Sequence, residues 1–442
     1  MPRISALSLL ASLCYFASFL VISTIWNPAL ADPELPQDVV VKLYQGYLPF
    51  DQMQLEGPFF ITEPSRQKID RGVYTLQTKY RKLLELQGQS RRGVPVLIRS
   101  PRLVLQASLN TSNNETDSLS GGAFLIKPDT LPARRYGGSI EITLSESGYF
   151  ILKNRVSAQE YVASIVGSES RENWGAEALK AQAVLTQSRL YRFEPAPDHK
   201  RPIEELSDDM REEVYLGRGY IRTKVLDAVK AVWGEAITAD NQIFVANYHA
   251  ICAGGTSGIG FFTGEPNPPN TTPPSKKPDL LSEPFAKPAY LHPAFRGVKC
   301  SFCQNSPYWN PHSSTFSLSE WTAKTGIEPP KISITDQRKR PLTVDFTDGH
   351  SDSGFATWLF LGEKLGYENV LGSRFKLTLN ADKDTVTLEN SGAGHGVGMC
   401  QWGASVLAAQ GKTYREILAF YFPKSKIIKL TPSRPKTRAK KP

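Results

Sequence analysis

Beyond Trp26 the sequence has no apolar run long enough to cross a bilayer, which excludes a multi-spanning membrane protein. Its 33 glycines follow no three-residue period and its leucines no sustained heptad, so collagen and coiled coil are excluded. No internal repeat is present, no glycine-rich spacing fits a phosphate loop, and no Ser-His-Asp pattern suggests a serine hydrolase. Cysteine is scarce, with five residues in 442: Cys14, Cys252, Cys300, Cys303 and Cys400. What is present is globular composition, 40% apolar and 21% charged, in a length that suggests roughly three domain-sized units. The 32 prolines and 33 glycines point to many turns. A net charge of +9 favours anionic partners.

The first 31 residues carry one charge, Arg3. An apolar stretch from Leu7 to Trp26 and the small-x-small triplet Ala29-Leu30-Ala31 predict a secretory signal peptide over 1–31, with an uncleaved anchor as the alternative. Either way the remainder is expected to be exported, to the periplasm, cell wall or extracellular space. Export argues against nucleic acid and for an anionic envelope polymer, and leaves membrane contact only to an uncleaved leader. It also leaves four cysteines in a disulfide-permissive compartment.

Residues 32–150 read as a β-rich N-terminal part. Val39 to Tyr44, Val94 to Ile98 and Gly138 to Leu144 are strand-like, the last alternating with period two. Asn110 to Gly122 is a polar loop containing the sequon Asn110-Thr111-Ser112. At Ser157 the period changes: Ser157-x-x-Glu160 is a capping box, and Tyr161, Val162, Ile165 and Val166 form an apolar helical stripe whose end is expected near Gly167. Further helices are predicted over Ala176–Tyr191, Leu226–Trp233, Gly354–Leu361 and Trp402–Gln410, and after the capping box Thr413-x-x-Glu416. Asp345 to Ser353 reads as loop. The core is expected over 151–428, with a proline-rich insertion at 261–290. A basic tail, 429–442, is either solubilising or a weak electrostatic tether.

Three constellations carry chemistry. Glu169 falls on the apolar stripe if the helix continues past Ile165, and a desolvated carboxyl can keep its proton and act as a general acid. The plainer reading is a solvated helix-end glutamate, or one paired with Arg171 or Lys180. His249-x-x-Cys252 with Cys300-x-x-Cys303 could supply a tetrahedral zinc site, with His292 or His312 as alternative ligands. A disulfide from Cys252 to the second pair is the competing reading. Gly394-His395-Gly396-Val397-Gly398-Met399-Cys400-Gln401-Trp402-Gly403-Ala404 lets backbone approach a ligand closely, or is a tight turn with a structural histidine.

Four blocks, in order, resemble the SpoIID/LytB family: Glu160-Tyr161-Val162 to Ser168-Glu169, Glu177 to Val184, Tyr248 to Thr256, and Gly394 to Ala404 with the Tyr414 to Tyr421 segment after it. The similarity runs from about Glu141 to Pro423. It implies an α+β, strand-rich fold with several short helices around a glycan groove. It implies a lytic transglycosylase that cuts MurNAc–GlcNAc bonds of peptide-free peptidoglycan strands to 1,6-anhydro ends, with Glu169 as its acid and base. LytB-type members imply the alternative, a non-catalytic wall-binding activator of a separate amidase. A third reading is a zinc- or disulfide-stapled envelope scaffold. Expected glycan contacts are Lys180, Gln187, Tyr191, His395 and Gln401. Many members have an Arg-Thr-Tyr run where this chain has Gln187-Ser188-Arg189, and Ser170 stands where Met often follows the glutamate.

Overall fold

A computed structural model describes residues 36–108, 122–190, 206–208, 213–240, 242–244, 246–258, 260–264 and 297–430. The leader, Tyr191, the sequon loop, His292, most of the 261–290 insertion and the tail beyond Leu430 lie outside the described residues. Among the described residues no helix is long and apolar enough to cross a membrane.

Period-two alternation builds the first half. In strand Gln52–Glu56 the buried positions are Met53 and Leu55; in Gly72–Lys79 they include Tyr74 and Leu76; in Ser139–Leu144 they are Ile140 and Ile142. These faces close two sheets over one core. The seven-stranded sheet runs, in spatial order, 206–207, 38–42, 150–157, 139–144, 103–107, 59–63, 67–69. The six-stranded sheet runs 134–136, 124–128, 52–56, 72–79, 83–90, 95–100. Phe59 of the first sheet meets Tyr74 and Phe124 of the second, with ring centroids 5.9 and 5.8 Å apart.

Strand Phe150–Ser157 runs directly into helix α1, Ala158–Glu169. Ser157 caps it by accepting from the Glu160 N–H at 3.2 Å. The reciprocal half of the expected box is absent, because the Glu160 carboxylate is taken by Arg218, at 3.0 and 2.7 Å. Gly167 does not end the helix. It allows close passage of the 220 segment: a Cβ there would sit 2.2 Å from the Tyr220 carbonyl oxygen. Helices α2 (Ala176–Leu190) and α3 (Thr223–Ala231) pack on α1, and strand Glu235–Ala239 lies along α2.

Beyond the short α4 (Gly260–Thr263), α5 (Leu318–Thr325) and α6 (Gly354–Leu365) pack beside two three-stranded sheets. The 345–353 stretch read as loop is the turn and second arm of a hairpin, 341–345 with 351–353. Its polar residues suit a strand with little buried face, which is why period-two reading passes over it. Helix α7 is Gln401–Ala409 and α8 is Tyr414–Tyr421; Thr413 and Glu416 form the full capping box before α8. The α+β class follows from these elements.

One buried ion pair ties the sheets to the segment before Glu213. Asp208 accepts from Arg134 Nη1 at 2.6 Å and from the backbone N–H groups of Tyr44 and Gln45 at 2.6 and 3.0 Å. The Arg134 guanidinium lies over the Tyr44 ring, 4.6 Å from its centroid. Asp208→Asn would strand a buried cation, at a cost of about 3–5 kcal/mol. Urea unfolding should register that loss; an unchanged midpoint would show that the pair contributes nothing.

Candidate functional site

The site is assembled by two segments far apart in sequence. Tyr248–His249 pairs in parallel with Met399–Cys400. Bridges Ile251–Ala393 and Ser257–Val397 continue the contact. Glycines permit it: Gly398, at φ +81°, would place a Cβ 1.9 Å from the Asn247 carbonyl oxygen. Arg340, almost wholly buried, reaches the Cys252 carbonyl at 3.4 Å, the Gly255 carbonyl at 3.5 Å and Ser373 Oγ at 3.1 Å, so one side chain ties the cysteine-bearing loop to the 373 segment.

This pairing delivers Gln401, at the start of α7, to the end of α1. Gln401 Nε2 donates to the Glu169 carbonyl at 3.4 Å and to Gln182 Oε1 at 3.3 Å. The half-buried Glu169 carboxylate accepts from the Val214 N–H at 3.3 Å. Burial raises its carboxyl above the ordinary range; the Val214 N–H, Gln401 and the Arg189 charge pull the other way.

A second carboxylate lies beside the first. Glu213 is buried; its Oε1 accepts from Thr186 Oγ1 at 2.9 Å and from the Tyr248 hydroxyl at 3.0 Å, with Arg189 Nε 3.8 Å away. Its Oε2 is buried with no hydrogen-bond partner among the described residues. Burial pushes the Glu213 carboxyl up to about 7; Arg189 and the two hydroxyls oppose this, and the charge of Glu169 adds to it. The pair can therefore hold a proton near neutral pH beside one cation, the condition for acid–base work by carboxyl groups.

The other expected contacts divide. His395 is half-buried, its Nε2 2.8 Å from the Tyr248 carbonyl and its Nδ1 accepting from the Val397 N–H at 3.2 Å. Desolvation lowers it to about 4, so it is neutral with the proton on Nε2. It braces the loop that carries Gln401. Gln187 does not face the carboxylates. It is fully buried, donating to the Ala183 and Val232 carbonyls at 3.2 Å each and accepting from the Gly234 N–H at 2.7 Å. Arg189, two positions on, supplies the cation instead, because two residues turn a helix by about 200°. Lys180 is engaged by Glu177 at 2.7 Å, beside the Tyr414 ring of α8.

Cys252, Cys300, Cys303 and Cys400 converge in the core, their sulfurs all within 4.8 Å of one another. The fourth member is Cys400 rather than the expected His249, whose Nδ1 lies 3.1 Å from the Val397 carbonyl and whose Nε2 has no hydrogen-bond partner among the described residues. The expected disulfide is not formed: all four cysteines are free, and Cys252 Sγ is 3.4 Å from Cys303 Sγ. Tetrahedral zinc–thiolate bonds of about 2.3 Å imply sulfur separations of about 3.8 Å, so this spacing fits a metal better than a covalent bridge. Outer donors are in place: the Tyr421 hydroxyl 3.4 Å from Cys300 Sγ, and the Gly403 N–H donating to Cys400 Sγ at 3.4 Å at the start of α7.

Glu213, Tyr248 and Cys400 were missed as site residues. The even count of four cysteines after the leader was the available signal for Cys400. Glu213 sits outside any periodic pattern.

Fold and site together define an α+β protein in which half-buried Glu169 and buried Glu213 lie beside the helix start that follows one thiol of a four-thiol core. Residues 146–238, which carry Glu169, Arg189 and Glu213, match the SpoIID family, described as Stage II sporulation protein. Stage II sporulation protein D of Bacillus subtilis (strain 168) is 26% identical over 287 residues, covering 60% of this chain and 73% of that protein. An uncharacterised protein of Brachyspira hyodysenteriae is 25% identical over 336 residues, covering 72% of this chain and 80% of its own length. An amidase enhancer of Bacillus subtilis is 43% identical over 47 residues, 11% of this chain and 7% of that protein.

A carboxyl raised from 4.5 to about 7 binds its proton more tightly folded than unfolded. Its contribution is therefore present at low pH and lost as pH rises from about 4.5 to about 7. Wild type should lose about 2–3 kcal/mol from Glu213 across that window, at 1.36 kcal/mol per pH unit. Glu213→Gln should flatten that part of the profile in denaturant unfolding at pH 5 and pH 7.5. Parallel profiles would mean that Glu213 is ionised throughout.

Proposed function

We propose that this is an exported protein acting on peptidoglycan, a lytic transglycosylase that cleaves MurNAc–GlcNAc bonds of peptide-free strands. The supporting observation is Glu169, half-buried, its carboxyl pushed up by burial and set beside Arg189 and Glu213. In this reading the Glu169 carboxyl gives its proton to the leaving glycosidic oxygen. The muramyl C6 hydroxyl attacks C1 and returns its proton to the Glu169 carboxylate. The product carries a 1,6-anhydro ring, no water is consumed, and the enzyme regains its starting state. One carboxyl suffices because the nucleophile belongs to the substrate, unlike the two-carboxylate arrangement of hydrolytic glycosidases. Arg189 limits the negative charge left after proton donation, and Gln401 fixes the backbone that carries the acid.

Glu169→Gln keeps the shape and removes the proton. Anhydro-end formation from denuded strands, followed by mass spectrometry, should fall on the order of 10²–10⁴-fold while strand binding persists. Full activity in the variant would refute the acid assignment. The short similarity to an amidase enhancer favours one second reading, a wall-bound activator of an amidase. It predicts that wild type never yields anhydro ends but accelerates amidase release of stem peptides.

We also propose that Cys252, Cys300, Cys303 and Cys400 hold one structural zinc. When bound, the metal supplies a closed thiolate shell that ties three chain segments together, with no open position for water. Elemental analysis should find about one zinc per chain. Cys400→Ser should lower metal content and the thermal midpoint together. Four free thiols in a metal-free, stable native protein would refute the site.

A further inference from the structure

The far edge of the seven-stranded sheet gathers arginines away from the carboxylates. Strands 59–63 and 67–69, with the turn after strand 83–90, wall a cleft of about 790 Å³. Arg66, Lys68, Arg71, Arg91 and Arg92 line it; the acidic lining residue among the described residues is Asp70. Asp70 is engaged by Lys68 at 3.7 Å, while the four arginines are exposed and make no ion pair among the described residues. Arg71 and Arg91 also line an adjoining cleft of about 400 Å³, which Glu56 lines as well. The floor is the outward face of strand 59–63, where Phe60 and Thr62 are half-buried.

Four unpaired guanidinium groups around one concavity create a positive field that an anion relieves, and their planar forks match carboxylates. A concave cleft with an aromatic residue on its floor suits a sugar polymer better than a flat bilayer. In the sheet order strand 59–63, which walls the cleft, lies five inter-strand steps from strand 206–207 at the opposite edge. At about 4.8 Å per step this is roughly 24 Å, a span that a polymer bridges and a small ligand does not.

We propose that this cleft binds the carboxylates repeated along the glycan strand that Glu169 cuts. The inference rests on the proposed substrate. Hydrolysis of the amide joining a stem peptide to a muramyl lactyl group leaves a free carboxylate on that sugar. An intact stem leaves an uncharged amide at the same atom. The arginines therefore select denuded strands and hold them at a distance from the acid.

The test compares the full chain with the Arg66→Gln, Arg71→Gln, Arg91→Gln, Arg92→Gln variant by calorimetry. The ligands are denuded strands and the same strands with lactyl carboxylates converted to methylamides. Wild type should prefer the carboxylate form at least tenfold at low salt, and the fourfold variant should lose that preference at an unchanged thermal midpoint. If the fourfold variant melts early, Arg66→Gln and Arg91→Gln singly should each weaken binding two- to threefold. Undiminished preference in the variants overturns the assignment. So does arginine-dependent capture by phosphatidylglycerol vesicles that denuded strands fail to displace, which would make this a membrane site. Carboxylate-dependent binding without any anhydro product would sink the cleavage reading and leave this one standing.

Discussion

The parallel pairing of Tyr248–His249 with Met399–Cys400 is the constraint on which the site depends. Two short glycine-rich segments, about 150 residues apart in sequence, run side by side because left-handed glycines let their backbones touch. That contact brings Cys252 to Cys400, sets α7 starting beside the end of α1, and places the Tyr248 hydroxyl on Glu213. Arg340 fastens the same knot from the other side through carbonyl oxygens of Cys252 and Gly255. Among the described residues the buried Arg340 guanidinium meets carbonyl oxygens and Ser373 rather than a carboxylate, and these dipoles replace its water.

Electrostatically the site is a balance between burial and one arginine. Burial pushes the carboxyls of both Glu169 and Glu213 up; a fully exposed pair would both be ionised at neutral pH. Arg189 moderates both, its Nε lying 3.8 Å from Glu213 Oε1, and the hydroxyls of Thr186 and Tyr248 offset part of the desolvation of Glu213. Of the two carboxyls Glu169 is the more accessible, and so the one placed to exchange a proton with a ligand.

Helices α1, α2 and α8 were legible in the sequence because each has an amphipathic or helix-favouring run and a capping or composition signal at its ends. Helix α5 was equally legible in retrospect. Ser317 caps it from three residues before Glu320, a signal that short length and weak periodicity obscured. The hairpin at 341–353 was not legible, since its second arm is polar on both faces. Gln187 shows the sharper limit: its residue type suits a binding groove, and only the rotation of α2 against strand 235–239 consigns it to the core.

Local periodicity and composition, written residue by residue, carried helices α1, α2 and α8, the carboxylate at the end of the apolar stripe and the supply of thiols. Which atoms meet was decided by tertiary structure. Cys400 displaced His249 from the thiol cluster, Arg189 rather than Gln187 faced the acids, and Glu213 joined Glu169 across 44 residues. The physical reason is that burial, and with it every shifted proton affinity, belongs to packed neighbours that no local pattern records.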